Sequence, residues 1–173
     1  MRVVALLRGM NIGGNRLSVA SLRSAAEGIG WRDVRSYLAS GNLVAEVDSD
    51  ATPEALAREL AGALAGLGLD VPVMVLTADE VIAALDDCPF EPVRGKDVHA
   101  YFLWSDPVVD SDAMNAYCAE SETLEVRGRV AWLHAPEGIG RSRLAEKLHK
   151  VVTGTDMTAR NLNTVRALVD MAR

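Results

Sequence analysis

Val34-Arg35-Ser36-Tyr37-Leu38-Ala39-Ser40-Gly41-Asn42-Leu43-Val44-Ala45-Glu46-Val47 reads as two strands and a turn. Val34–Leu38 and Leu43–Val47 form the strands, and Ser40-Gly41-Asn42 supplies the turn chemistry between them. Amphipathic helices flank this hairpin. Upstream, Ser18 offers an N-cap, Leu22, Ala25, Ala26 and Ile29 form the apolar stripe, and Gly30 ends the helix. Downstream, Thr52 and Pro53 suit the cap and first turn, and Leu56, Leu60, Ala63, Leu64 and Leu67 form the stripe. Outside the helices lie two more strands. Val3–Leu7 is a continuous apolar run suited to a buried central position, and Val71–Leu76 carries Pro72, which favours an edge. Residues 3–76 thus read β-α-β-β-α-β, the split βαβ order of ferredoxin-like folds. Thr77-Ala78-Asp79-Glu80 is a capping box that opens a further helix.

The second half repeats the theme. Val98–Trp104 reads as a strand, and Asp110–Ala119 as a helix capped by Asp110 or Ser111. Thr123–Arg127 and Val130–His134 flank Gly128 as a hairpin, and Arg141–Val151 reads as a helix. Thr158 then looks like the cap of a last helix running to about Ala172, with Leu162, Val165, Leu168 and Val169 facing the core. The expected fold is α+β: two ferredoxin-like halves packed together, βαββαβ then βαββαα, with a helix replacing the last strand. The expected boundaries are residues 1–86, a Pro- and Gly-bearing linker at 87–97, and residues 98–173.

Charge is unevenly spread. Residues 127–173 hold 9 Arg and Lys against 4 Asp and Glu, whereas residues 1–126 hold 9 against 20; the nets of +5 and −11 give the chain its −6. That net charge argues against a general nucleic-acid coat and leaves room for a local basic face. Cys88 and Cys118 show neither CxxC nor zinc spacing, and His99, His134 and His149 show no metal-ligand spacing, so no metal and no cofactor are expected. The five apolar residues before Arg8 are too few for a signal peptide or a membrane span, so a soluble cytoplasmic protein is expected, without membrane association. The sequence gives no oligomeric state.

Four blocks carry a resemblance. They are Leu6-Leu7-Arg8-Gly9-Met10-Asn11-Ile12-Gly13-Gly14, Tyr37-Leu38-Ala39-Ser40-Gly41-Asn42-Leu43-Val44, Gly140-Arg141-Ser142-Arg143-Leu144 and Thr158-Ala159-Arg160-Asn161-Leu162-Asn163-Thr164-Val165. In this order they resemble the bacterial family known as domain of unknown function 1697. Its members commonly place an aromatic between the two asparagines of the last block, where this chain has Leu162. The resemblance implies a cytoplasmic α+β protein built from ferredoxin-like parts. It implies no activity, substrate or catalytic residue.

Function therefore has to come from the residues. The loop Gly9-Met10-Asn11-Ile12-Gly13-Gly14 follows a strand and precedes a helix, as phosphate loops do. Asn15-Arg16 stands where a P-loop needs Lys followed by Ser or Thr, so ATPase chemistry is not expected. Two readings remain open. The loop cradles an anion through backbone N–H groups and Arg8, or its glycines only permit positive φ while Asn11 ties it down. Ser40 and Asn42 either complete the hairpin or face the same ligand. In the basic cluster, Arg141 and Arg143 sit near an expected helix start, where cations oppose the macrodipole. They either meet an anion there or pair with carboxylates of the first half.

The expected ligand is a phosphorylated small molecule or nucleotide in a cleft between the halves. Arg8, Arg141 and Arg143 would neutralise its charge, and Asn11 and Asn42 would orient it. Backbone N–H groups of Gly13, Gly14 and Ser142 would donate to it, and Arg160 would join Arg141. Asn161, beside Asn163 in the first turn of the last helix, would bind the ligand or lock that helix to loop carbonyls. The rival expectation is a protein- or nucleic-acid-backbone interaction module with no small-molecule site. Whether any reaction is catalysed stays open, because no general base can be named.

Overall fold

Val3, Ala5 and Leu7 point to one face of a strand and Val4 and Leu6 to the other, and all five are at most 1% exposed. A strand buried on both faces belongs in the middle of a sheet, and this one is central in the first of two units. The structure, a computed structural model, describes every residue except Asn15 and Ser49. The Asn15-Arg16 pair read against the P-loop pattern therefore lies partly outside the described residues.

The chain divides into two compact units. One comprises Met1–Leu85 together with Arg166–Arg173, and the other Asp86–Val165. In the first, β1 (Arg2–Leu7), α1 (Val19–Gly28), β2 (Arg32–Ser36), β3 (Asn42–Glu46), α2 (Pro53–Ala65) and β4 (Val73–Thr77) follow the β-α-β-β-α-β order, and α3 (Ala78–Asp86) comes next. The sheet runs β2-β3-β1-β4, antiparallel throughout. Pro72 precedes an edge strand, where its missing N–H leaves no ladder bond unmade. Ser18 and Thr52 cap α1 and α2 by accepting from Ser21 N and Ala55 N. Leu22 and Ala26 of α1 and Leu56, Leu60 and Leu64 of α2 share one cluster with Val3, Ala5 and Leu7, so both helices cover the same face. Each such leucine or valine side chain contributes roughly 1.5–3 kcal/mol on burial.

The second unit holds β5 (Val98–Leu103), the short β6 (Val108–Val109), α4 (Ser111–Tyr117), β7 (Thr123–Arg127), β8 (Val130–His134), α5 (Arg143–Glu146), α6 (Leu148–Val151), β9 (Val152–Thr153) and β10 (Met157–Asn161). Its main sheet runs β10-β5-β8-β7, antiparallel, and β6 pairs with β9 as a separate ribbon. Leu103, Ala131 and Leu133 on one face of the main sheet pack with Leu144, Leu148 and Val151 from α5 and α6. Asp110 is the cap of α4, accepting from Ala113 N.

Here the structure corrects the expected βαββαα order. A fourth strand is present. Met157 to Asn161 pair in register with Leu103 to His99, and α7 (Leu162–Ala172) follows this strand without replacing it. Thr158 is a buried strand residue and caps nothing. The physical reason is an edge in need of a partner: β5 has β8 on one side only, and β10 satisfies the other. The strand escapes a hydropathy reading because its inward residues, Thr158 and Arg160, are polar. The expected helix over Arg141–Val151 is also broken. A 3₁₀ turn spans Ile139–Arg141, and Lys147 (ψ 13) separates the two short helices. The expected stripe of α7 is buried, with Leu162, Val165, Leu168 and Val169 at most 1% exposed.

The architecture is α+β with two four-stranded antiparallel sheets. Among the described residues no helix is long and apolar enough to cross a membrane.

Candidate functional site

In the first unit the loop after β1 and the turn between β2 and β3 meet at one end of the sheet. Leu7 N donates to Gly41 O at 2.8 Å, and Arg8 N to Pro72 O at 3.0 Å. Asn11 stands at φ 61 and bridges the two segments: its Nδ2 donates to Ala39 O, and its Oδ1 accepts from Leu17 N at 3.2 Å. Asn42 is fully buried, with Nδ2 donating to Tyr37 O at 2.8 Å and Ser40 Oγ at 3.0 Å. The structure therefore brings Arg8, Asn11, Ser40 and Asn42 to one end of the sheet, with both asparagine amides bonded to that end's own segments. Gly13, at φ 64, and Gly14 are exposed on the outer side of the loop.

The second unit separates the basic residues. Ser142 is the cap of the four-residue α5; its Oγ accepts from Ala145 N at 3.0 Å and donates to Glu122 Oε2 at 2.7 Å. Its backbone N–H, expected to face a ligand, donates to Ile139 O at 3.1 Å. The Arg143 guanidinium lies over the Tyr117 ring, 5.1 Å from its centroid, a cation–π arrangement. Arg160 lies within β10, where alternation puts it on the opposite face from Asn161. It donates through Nη1 to Thr158 Oγ1 at 2.9 Å and Ala159 O at 2.7 Å, and burial pulls its pKa down to about 10. Asn161 accepts from Thr164 N at 2.9 Å through Oδ1 and so opens α7.

Arg141 and Asn161 do come together. They line a recess of about 530 Å³ with Arg94, Lys96, Asp97, His99, Glu137, Gly138 and Ile139. The fold explains how. Asn161 ends β10 and His99 begins β5, and the two are paired across the sheet. The turn carrying Lys96 leads into β5, and the turn after β8 brings Glu137 to Arg141. Arg94 is bound in a fork to the buried Asp97 (Nε–Oδ2 2.7 Å, Nη2–Oδ1 3.1 Å) and also donates to Pro136 O at 3.1 Å. This clamp ties the turn before β5 to the turn after β8. Among the described residues Lys96 and Arg141 make no ion pair, and the Asn161 Nδ2 has no hydrogen-bond partner. His99 Nδ1 is buried and also without a partner. Burial holds the His99 pKa below its ordinary value, against the opposing pull of Asp97.

Sequence reasoning missed Lys96, His99, Arg94, Asp97 and Glu137. Lys96 reads as linker and His99 as an ordinary strand residue. The available signal was a Lys-Asp-x-His run entering a strand, but nothing local tells which turn that strand end will meet.

Comparison with known proteins shows the fold and the family. The chain is similar to the "conserved bacterial protein SP0830 from Streptococcus pneumoniae", with a TM-score of 0.68 over 99% of this chain and 97% of that one, at 24% identity. No functionally curated protein matches it. The family model described as "Protein of unknown function (DUF1697)" matches residues 1–132. This chain belongs to that family.

Proposed function

We propose that the second unit binds the phosphate group of a small phosphorylated molecule or nucleotide in the recess walled by Lys96, His99, Arg141 and Asn161. One observation carries the reading: among the described residues, Lys96 and Arg141, two of the three cations that line this recess, make no ion pair, and the Asn161 Nδ2 group has no hydrogen-bond partner. Lys96, Arg141 and the Asn161 Nδ2 group around one hollow present donors of the kind that hold phosphate oxygens. The Arg94–Asp97 clamp supports it by fixing the walls before a ligand arrives, which lowers the entropy cost of binding.

The strand orders β2-β3-β1-β4 and β10-β5-β8-β7 support reading each unit as ferredoxin-like. We read the setting as cytoplasmic, where the Cys88 and Cys118 thiols stay reduced.

Calorimetric titration with inorganic phosphate, ribose 5-phosphate and nucleoside monophosphates tests the function. Binding that the Lys96→Ala, Arg141→Ala double variant abolishes is the expected result. No binding by any of these probes overturns it. Binding of oligonucleotides alone, with affinity falling steeply as salt rises, supports the nucleic-acid-backbone reading in its place.

A further inference from the structure

The buried, unpartnered Nδ1 of His99 constrains what the recess can recognise. A neutral imidazole carries one N–H and one bare nitrogen, while an imidazolium carries two N–H groups. A proton on Nδ1 would leave a donor buried with no acceptor, and native interiors tolerate an orphaned N–H less well than an underused lone pair. The proton of the neutral ring therefore belongs on Nε2. We infer that His99 is held as the neutral Nε2–H tautomer and serves the recess as a fixed hydrogen-bond donor to a phosphate- or sulfate-class oxyanion.

This rests on the proposed anion recess and sharpens it. With Lys96, Arg141 and Asn161, the histidine would give the hollow four donating side chains. A ligand that needs a base at this wall, such as a substrate giving up a proton to His99, is excluded, because the lone pair lies on the buried nitrogen. The charged and titratable groups around the ring are Arg94, Lys96, Asp97, Glu137 and Arg141 at the recess, with Tyr101 two residues along β5, its ring centroid 6.4 Å away. Of all these only the histidine ordinarily titrates near neutrality. The second protonation it resists would put the unpartnered donor on Nδ1, which agrees with burial keeping the ring neutral.

Two measurements test the inference. Long-range ¹H–¹⁵N correlation spectra of the free protein read the tautomer directly, and the expected spectrum has His99 Nδ1 bare at pH 7. A protonated Nδ1 overturns the inference, whatever binds. The second measurement is sulfate titration, chosen because sulfate keeps one charge state across the range. His99→Phe should weaken sulfate about tenfold, whereas His99→Gln, which keeps an N–H near the ε position, should stay within about threefold of the parent. Parent and His99→Gln affinities should run parallel from pH 8 to pH 6. Sulfate bound equally by the parent and His99→Phe overturns the inference and leaves the recess standing. A steep tightening towards pH 6 in the parent alone does the same. Failure of the parent to bind sulfate, phosphate or phosphate esters overturns both.

Discussion

Asn42 makes the β2–β3 turn expensive to change. Its amide is sealed from water and donates to Tyr37 O and Ser40 Oγ, so Asn42→Ala would leave a part-buried carbonyl without this donor. The expected loss is about 1–3 kcal/mol, read from urea midpoints. Gly41→Ala should cost at least as much. Gly41 stands at φ +79, and a Cβ there would come within 2.7 Å of Leu7 Cβ on a fully buried strand. A Gly41→Ala chain of parental stability would refute this account of the turn. At the recess, His99 gives stability a pH dependence of definite sign. Its folded pKa lies below its ordinary 6.5, so the unfolded chain binds the extra proton first. The stability tied to the neutral ring is complete above 6.5 and declines as pH falls through the lowered folded value. His99→Gln should flatten the urea-midpoint slope between pH 7 and 5; an unchanged slope would assign the acid sensitivity to other groups.

Elements were legible where local chemistry decides them. The capping box at Thr77 and Glu80 forms as read. Thr77 N donates to Glu80 Oε2 at 2.7 Å and Glu80 N to Thr77 Oγ1 at 3.2 Å. Thr77→Ala should therefore destabilise by about 1 kcal/mol, and Thr77→Ser by much less, by thermal unfolding. Ser18, Thr52 and Asp110 likewise act as the caps their side chains suggest. β10 was not legible, and the reason is specific. Thr158 and Arg160 point to a buried face, so the strand shows no apolar alternation, and its hydroxyl imitates a helix cap. What makes Met157–Asn161 a strand is the open edge of β5, some sixty residues away in the chain. The recess was legible in part for the same cause. Arg141 and Asn161 announce themselves as a basic turn and an asparagine pair. Lys96 and His99 join them only after β10 has docked on β5, so a misread strand hides half of the walls.

For the whole molecule, the course of the chain matters more than its uneven charge. The chain leaves the first unit after Leu85 and returns to it at Arg166, so the second unit is an insertion between parts of the first. The return occurs inside a continuous helix. Leu162–Val165 of α7 belong to the second unit and Arg166–Ala172 to the first, where Arg35 Nη2 donates to Met171 O at 2.7 Å. Fraying of the helix at one end therefore weakens a buried element of the other unit, which predicts that the two units unfold together. Trp31, 3% exposed in the first unit, and Trp132, fully buried in the second, are natural reporters. In a Trp104→Phe background, single-tryptophan chains keeping Trp31 or Trp132 should give coincident urea midpoints. Arg166 is exposed at the crossing point, so Arg166→Pro disturbs the backbone without opening a core. Proline there removes a helical hydrogen bond and clashes with the preceding turn, at a cost of about 3 kcal/mol. The two midpoints should then separate, with the Trp31 reporter shifting because the first unit loses its hold on residues 166–173. Midpoints that stay coincident in the Arg166→Pro chain would show that the helix is not what joins the two transitions.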